Sequence, residues 1–123
     1  MSDSRQLERK VTNDYFLVYD RETNELIGRV MDLTAEGVRL VCNDSIEPGS
    51  KFKAKMEMPQ MIDRYRHIDF DLDARWTRKN PQMGWHETGF KITGLSMETY
   101  SVIERIIGDW APKATSNYQK TKK

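Results

Sequence analysis

Two stretches of strict alternation constrain the fold of this chain more than anything else in it. In Lys51–Met58, Phe52, Ala54, Met56 and Met58 fall on one side, and Lys51, Lys53, Lys55 and Glu57 on the other. The run from Ile68 to Thr77 repeats the pattern: Ile68, Phe70, Leu72, Ala74 and Trp76 alternate with Asp69, Asp71, Asp73 and Arg75. Successive strand residues point to opposite faces, so both runs predict strands with one buried and one wet face. That one-sided pattern belongs to antiparallel sheet.

Four further runs read as strands: Tyr15–Tyr19, Glu25–Leu33, Val38–Cys42 and Trp85–Ile92, with Trp76 and Cys42 expected on the inner face. Turn clusters separate them at Arg21–Asn24, Glu47–Ser50 and Asn80–Gly84. Residues 59–67 read as a longer loop rich in Met, Arg and Tyr. After residue 95 the period changes. Met97, Tyr100, Ile103, Ile106, Ile107 and Trp110 fall on one helical face, with Ser96 as N-cap, Glu98 in the first turn and Pro112 as the stop. Six strands followed by one amphipathic helix predict a six-stranded antiparallel β-barrel with a C-terminal helix covering one mouth. Closure removes exposed sheet edges. The domain plan is a polar arm over 1–13, the barrel and helix over 14–111, and a basic tail over 112–123.

Composition narrows the function classes. A net charge of +1 argues against a general nucleic-acid coat protein, so an anion site must come from local placement of charge. The single cysteine, Cys42, forbids an internal disulfide and fits a reducing compartment. No apolar h-region opens the chain and no run of about 18 apolar residues occurs, so a cytoplasmic protein without membrane insertion is expected.

Two short motifs carry chemistry. The arm holds Arg5 and Arg9, with Lys10 adding positive potential. Guanidinium is always charged and donates in a planar fork, which grips phosphates bidentately and meets the O6 and N7 edge of guanine. A spacing of four sets the two arginines one helical turn apart, or roughly 13 Å apart on an extended arm. The second motif is Asp32-Leu-Thr34-Ala-Glu-Gly37, at the junction of two strands. A carboxylate accepts from guanine N1–H and its amine, and the neighbouring hydroxyl donates or accepts. Gly37 permits positive φ and close backbone approach to a ligand. Alone, an Arg-x-x-x-Arg is common in a chain this rich in arginine, and Asp32 with Gly37 suits an ordinary hairpin turn. The order of the motifs and the barrel-plus-helix pattern around them change that balance.

Over about residues 5–110 the chain resembles a stand-alone PilZ domain. Arg5 and Arg9 match the family's Arg-x-x-x-Arg switch loop. Asp32 and Gly37 match its Asp/Asn-x-Ser-x-x-Gly motif, with Thr34 in place of serine. Trp76, Gly89-Phe90-Lys91-Ile92 and the final helix also resemble the family. The resemblance implies a PilZ-like split barrel and reception of cyclic di-GMP without catalysis, through Arg5, Arg9, Lys10, Asp32, Thr34 and Gly37. It implies an arm that orders on binding and an unidentified protein effector that reads the change, in motility, surface polysaccharide or biofilm control. The alternative is a degenerate member that binds no nucleotide and serves as a protein-interaction adaptor. A third reading, a barrel binding single-stranded nucleic acid, is opposed by the near-neutral charge.

The remaining candidates favour plain roles. His67 and His86 have no partner at metal spacing, so no zinc site is expected. Asp69, Asp71 and Asp73 read as a solvated strand face rather than a calcium site. Trp85, Trp110 and Tyr100 read as core or barrel-mouth packing. The loop at 61–66 exposes Met, Ile and Tyr among arginines, which suits a partner or the far side of the ligand. No nucleophile–base pair, phosphate-cradling loop or paired catalytic carboxylates stand out, so neither an enzyme nor a resident cofactor or metal is expected.

Overall fold

A computed structural model describes residues 16–109. Arg5, Arg9, Lys10, Tyr15, Trp110 and both expected tails lie outside the described residues. Six strands run in chain order: β1 (Leu17–Asp20), β2 (Leu26–Leu33), β3 (Gly37–Cys42), β4 (Lys51–Ile62), β5 (Tyr65–Lys79) and β6 (His86–Thr93). Helix α1 (Met97–Asp109) follows. The strands close into an antiparallel barrel in the order β1-β2-β3-β6-β5-β4, as the alternation predicts.

The inner face holds the core. Val18, Leu40, Ala54, Met56, Phe70 and Leu72 are buried there, together with Cys42 and Phe90. Burial pushes the Cys42 thiol upward, as expected of a core cysteine. The charged outer face of β4 and β5 is laced rather than bare: Arg21 reaches Asp69 and Asp71 at 3.6 and 3.5 Å, and Lys51 meets Asp73 at 3.3 Å. The three aspartates therefore form the solvated face that the sequence predicts. Among the described residues, no group of three His, Cys, Asp or Glu is placed to hold a metal ion, and no helix is long and apolar enough to cross a membrane.

Three expectations need correction. Residues 59–67 are not a long loop. Strands β4 and β5 run on to Ile62 and from Tyr65, joined by a turn in which Asp63 and Arg64 both take positive φ, 51° and 74°. Two successive residues of positive φ turn a hairpin with the twist its strands require. Pro59 and the absence of an Asn-Gly signal hide this turn in the sequence. The β4–β5 hairpin outruns its neighbours, and α1 lies on the projecting part. Arg105 meets Asp63 at 3.0 Å, and Thr99 Oγ1 donates to the Asp69 carbonyl.

The helical face is also rotated from its expected position. Thr99, Val102, Ile103 and Ile106 are buried, whereas Met97 and Tyr100 are exposed. Thr99 can be buried because both its polar groups are satisfied: its N–H donates to Ser96 Oγ, the predicted N-cap, and its hydroxyl bonds Ser96 and Asp69. Val102, Ile103 and Ile106 join the barrel core.

The third correction concerns Trp76, which faces outward and is 41% exposed. In the β5–β6 ladder Ala74 pairs with Phe90, but Trp76 pairs with Gly89, the next residue along β6. Arg75 is therefore the extra residue of a β-bulge, and the inward phase of Ile68–Ala74 is shifted by one beyond it. Strand β2 has a matching irregularity: Val30 pairs with Leu40 and Asp32 with Arg39, which leaves Met31 extra. Val30 is buried and Asp32 exposed.

Candidate functional site

The two bulges bring the outward residues of four strands into one row. Asp32 on β2 pairs with Arg39 on β3, Arg39 with Gly89 on β6, and Gly89 with Trp76 on β5. The row floors an open trough of about 490 Å³, flanked by Arg75 and Lys91.

Each member is held by local chemistry. Asp32 Oδ2 accepts from Arg39 Nη2 at 2.6 Å, a charge-assisted bond between half-exposed groups. Exposed pairs of this kind are worth about 0–1 kcal/mol, so an incoming ligand can share or replace the contact at little cost. Thr34 shapes the β2–β3 turn. Its N–H donates to the Gly37 carbonyl at 2.8 Å, and its hydroxyl accepts from the N–H groups of Glu36 and Gly37. The same hydroxyl donates to the Gly37 carbonyl at 3.3 Å. Threonine serves this turn as well as serine would, because the hydroxyl points into the turn.

Gly37 is needed for a different reason from the expected one. Its φ is not positive. A Cβ at this position would sit 2.8 Å from the Phe90 carbonyl oxygen on β6, so glycine is what lets β3 approach that strand. Gly89 makes the corresponding space for Trp76: a Cβ there would run into the indole. The ring therefore lies against bare backbone and remains half-exposed where it lines the trough.

A second row supports the first. Arg78 stands over Trp76, its guanidinium carbon 5.8 Å from the ring centroid, and donates from Nε and Nη2 to Glu87 Oε1 at 3.2 and 3.0 Å. Asn80 Nδ2 donates to the other carboxylate oxygen at 3.4 Å. The Arg78 hydrogen bonds hold the buried Glu87 carboxyl below the usual carboxylate range, against the upward pull of burial. The native group thus releases its proton more readily than the unfolded one. Its stabilising contribution is full above the ordinary value of 4.5 and is lost as pH falls through the lowered native value. Glu87→Gln should therefore flatten the acid limb of stability against pH, measured by urea unfolding across a pH series.

Of the six residues expected at the site, Asp32, Thr34 and Gly37 lie together at one end of the trough, while Arg5, Arg9 and Lys10 lie outside the described residues. Arg39, Arg75 and Lys91 did not figure among the expected residues, and Trp76 was expected to point inward. For Arg39 a signal existed: it alternates with the inward Val38 and Leu40, and so shares the outer face with Asp32.

This arrangement pairs with a match in known proteins. The model of the PilZ domain family matches residues 3–109. The chain is a PilZ domain. Among solved structures, the PilZ domain of Escherichia coli YcgR with c-di-GMP superposes with a TM-score of 0.61 at 16% identity, covering 87% of this chain and 88% of that one. Klebsiella pneumoniae MrkH in complex with c-di-GMP gives 0.63 at 15% identity, covering 85% and 49%. The Bacillus subtilis inhibitor of motility, MotI/DgrA, gives 0.60 at 14% identity, covering 79% and 49%. At these identities the likeness shows a shared fold. This PilZ domain spans about half the length of MotI and MrkH. A search of curated proteins returns no match.

Proposed function

We propose that this PilZ domain is a cytoplasmic receptor for cyclic di-GMP that relays the level of the messenger to a protein partner. The observation that carries the reading is the row Asp32–Arg39–Gly89–Trp76. It sets an exposed aromatic surface, a carboxylate and a guanidinium side by side over a strip of bare backbone. A guanine stacks on Trp76, and base–aromatic stacking is worth about 1–3 kcal/mol. Asp32 accepts from the N1–H and amine of guanine. Arg75 and Lys91 face the phosphates. Arg5, Arg9 and Lys10 close over the ligand from the N-terminal side. Fixing that segment costs about 1–2 kcal/mol per residue, which phosphate contacts offset. The partner reads the surface built in this way. The ligand is bound and released unchanged, and neither cofactor nor metal takes part. The c-di-GMP complexes of YcgR and MrkH, which share this fold, support this choice of ligand.

One observation favours a second reading, a domain that binds no nucleotide and acts only as an adaptor. Asp32 is already paired with Arg39, and the Thr34 hydroxyl is engaged in its own turn. Calorimetric titration of the chain with cyclic di-GMP decides between them. The receptor reading expects saturable heat, with affinity lowered at least about tenfold in Arg9→Ala and in Asp32→Ala through lost charge-assisted hydrogen bonds. Absence of heat in the unmodified chain at high ligand concentration would overturn the receptor reading and turn the search to protein partners of the adaptor.

A further inference from the structure

We infer that Arg39 is a specificity-determining residue of this face: with Asp32 it reads the base edge and selects guanine over adenine. The inference rests on the receptor reading above and goes beyond it. Arg39 is not part of either sequence motif; it is placed by the β2–β3 register, which sets it directly opposite Asp32. On its other side the register sets Gly89, above which the Trp76 indole lies. Neighbouring strands are about 4.8 Å apart, so a base stacked on Trp76 over Gly89 presents its edge to Arg39 first and Asp32 next.

The order of donors and acceptors then decides which base fits. Arg39 spends one guanidinium N–H of its five on Asp32 Oδ2, the side-chain hydrogen bond that the guanidinium makes among the described residues. Both residues line the trough, so the rest of the fork and Asp32 Oδ1 are within reach of a ligand there. A fork beside a carboxylate oxygen is a donor next to an acceptor. The guanine edge is its complement: O6 accepts, and N1–H and the amine donate. Adenine inverts the order, with an amine donor at the Arg39 position and the N1 acceptor at the carboxylate. Both of its groups would be left against groups of their own kind. The Arg39–Asp32 bond also sets the two side chains next to one another in the free domain, ready to be shared with a base edge.

The test is calorimetric titration of the full chain, as wild type, Arg39→Met and Arg39→Lys, with cyclic di-GMP and with cyclic di-AMP. The wild type should prefer cyclic di-GMP. Both substitutions should cut that preference about tenfold or more, in line with the discrimination carried by one good side-chain-to-base pair. The loss should fall on cyclic di-GMP, with cyclic di-AMP affinity held or raised. Arg39→Lys keeps a cation opposite Asp32 and so preserves the sheet, but a single ammonium lacks the planar fork that holds Asp32 and the base together. An equal loss for both ligands would assign Arg39 a merely structural role and overturn the inference, as would an unchanged preference in a folded Lys variant. A wild-type chain that takes up neither dinucleotide would instead overturn the receptor reading.

Discussion

Gly37→Val is expected to lower the free energy of unfolding by about 3 kcal/mol, at the upper end of the cost of overpacking a close contact. Two atoms decide the size of the effect. The new Cβ would stand 2.8 Å from the Phe90 carbonyl oxygen, which belongs to the backbone of β6. A flexible side chain can swing away from such a contact; a ladder carbonyl cannot. Relief requires β3 to part from β6 at the Gly37–Lys91 and Val38–Phe90 pairs, beside the core residues Val38 and Phe90. For a domain whose total stability is about 5–15 kcal/mol, that is a large share. Urea unfolding followed by circular dichroism measures it. A midpoint unchanged from the parent would mean that the strands have slack the register does not show.

Gly89→Ala should behave in the opposite way, with a small effect on stability and a large one on binding. Here the obstructing group is the Trp76 indole, a half-exposed side chain free to swing into solvent. Alanine suits a strand better than glycine by about 0.5–1 kcal/mol, which offsets part of the lost indole contact and leaves stability within about 1 kcal/mol of the parent. The flat surface over the backbone is destroyed, however. If one guanine stacks there, affinity for cyclic di-GMP should fall by about 1–3 kcal/mol, up to roughly a hundredfold. Titration and thermal unfolding of the same sample separate the two effects. Undiminished affinity would remove Trp76 from the site.

What could be read in the sequence divides along physical lines. The barrel was legible because β3, β4 and most of β5 each bury one face and wet the other, and period-two alternation records that directly. The Asp32–Gly37 turn was legible because its residue types suit a turn. The direction of Trp76 was not, because a bulge adds a residue without changing the kinds of residue around it. The hairpin tip was hidden by Pro59 and by a turn of Asp63 and Arg64, where an Asn-Gly pair would have announced itself. The helical face was not legible, because Met97 and Tyr100 are apolar in type yet exposed, while Thr99 is polar yet buried with its hydrogen bonds met. The part played by Arg39 was legible only in outline, because a single outward arginine on a strand signifies little until register shows what stands on either side of it.

The bulges at Met31 and Arg75 also bear on how such a chain can change in length. In an unbroken ladder, losing one residue reverses the facing of everything downstream, moving core into water and surface into core. At a bulge the count is already in excess by one. Removing Arg75 would leave Ala74 opposite Phe90 and Trp76 opposite Gly89, the pairs they make now. Removing Met31 would likewise keep Val30 on Leu40 and Asp32 on Arg39. These two positions are seams at which the barrel can lose a residue and keep its inside and outside, surrendering only local twist. A relative shorter by one residue at either seam would therefore preserve the row Asp32–Arg39–Gly89–Trp76, losing one flanking cation if the seam is at Arg75, and a comparison by uniform residue count would misplace every side chain beyond it.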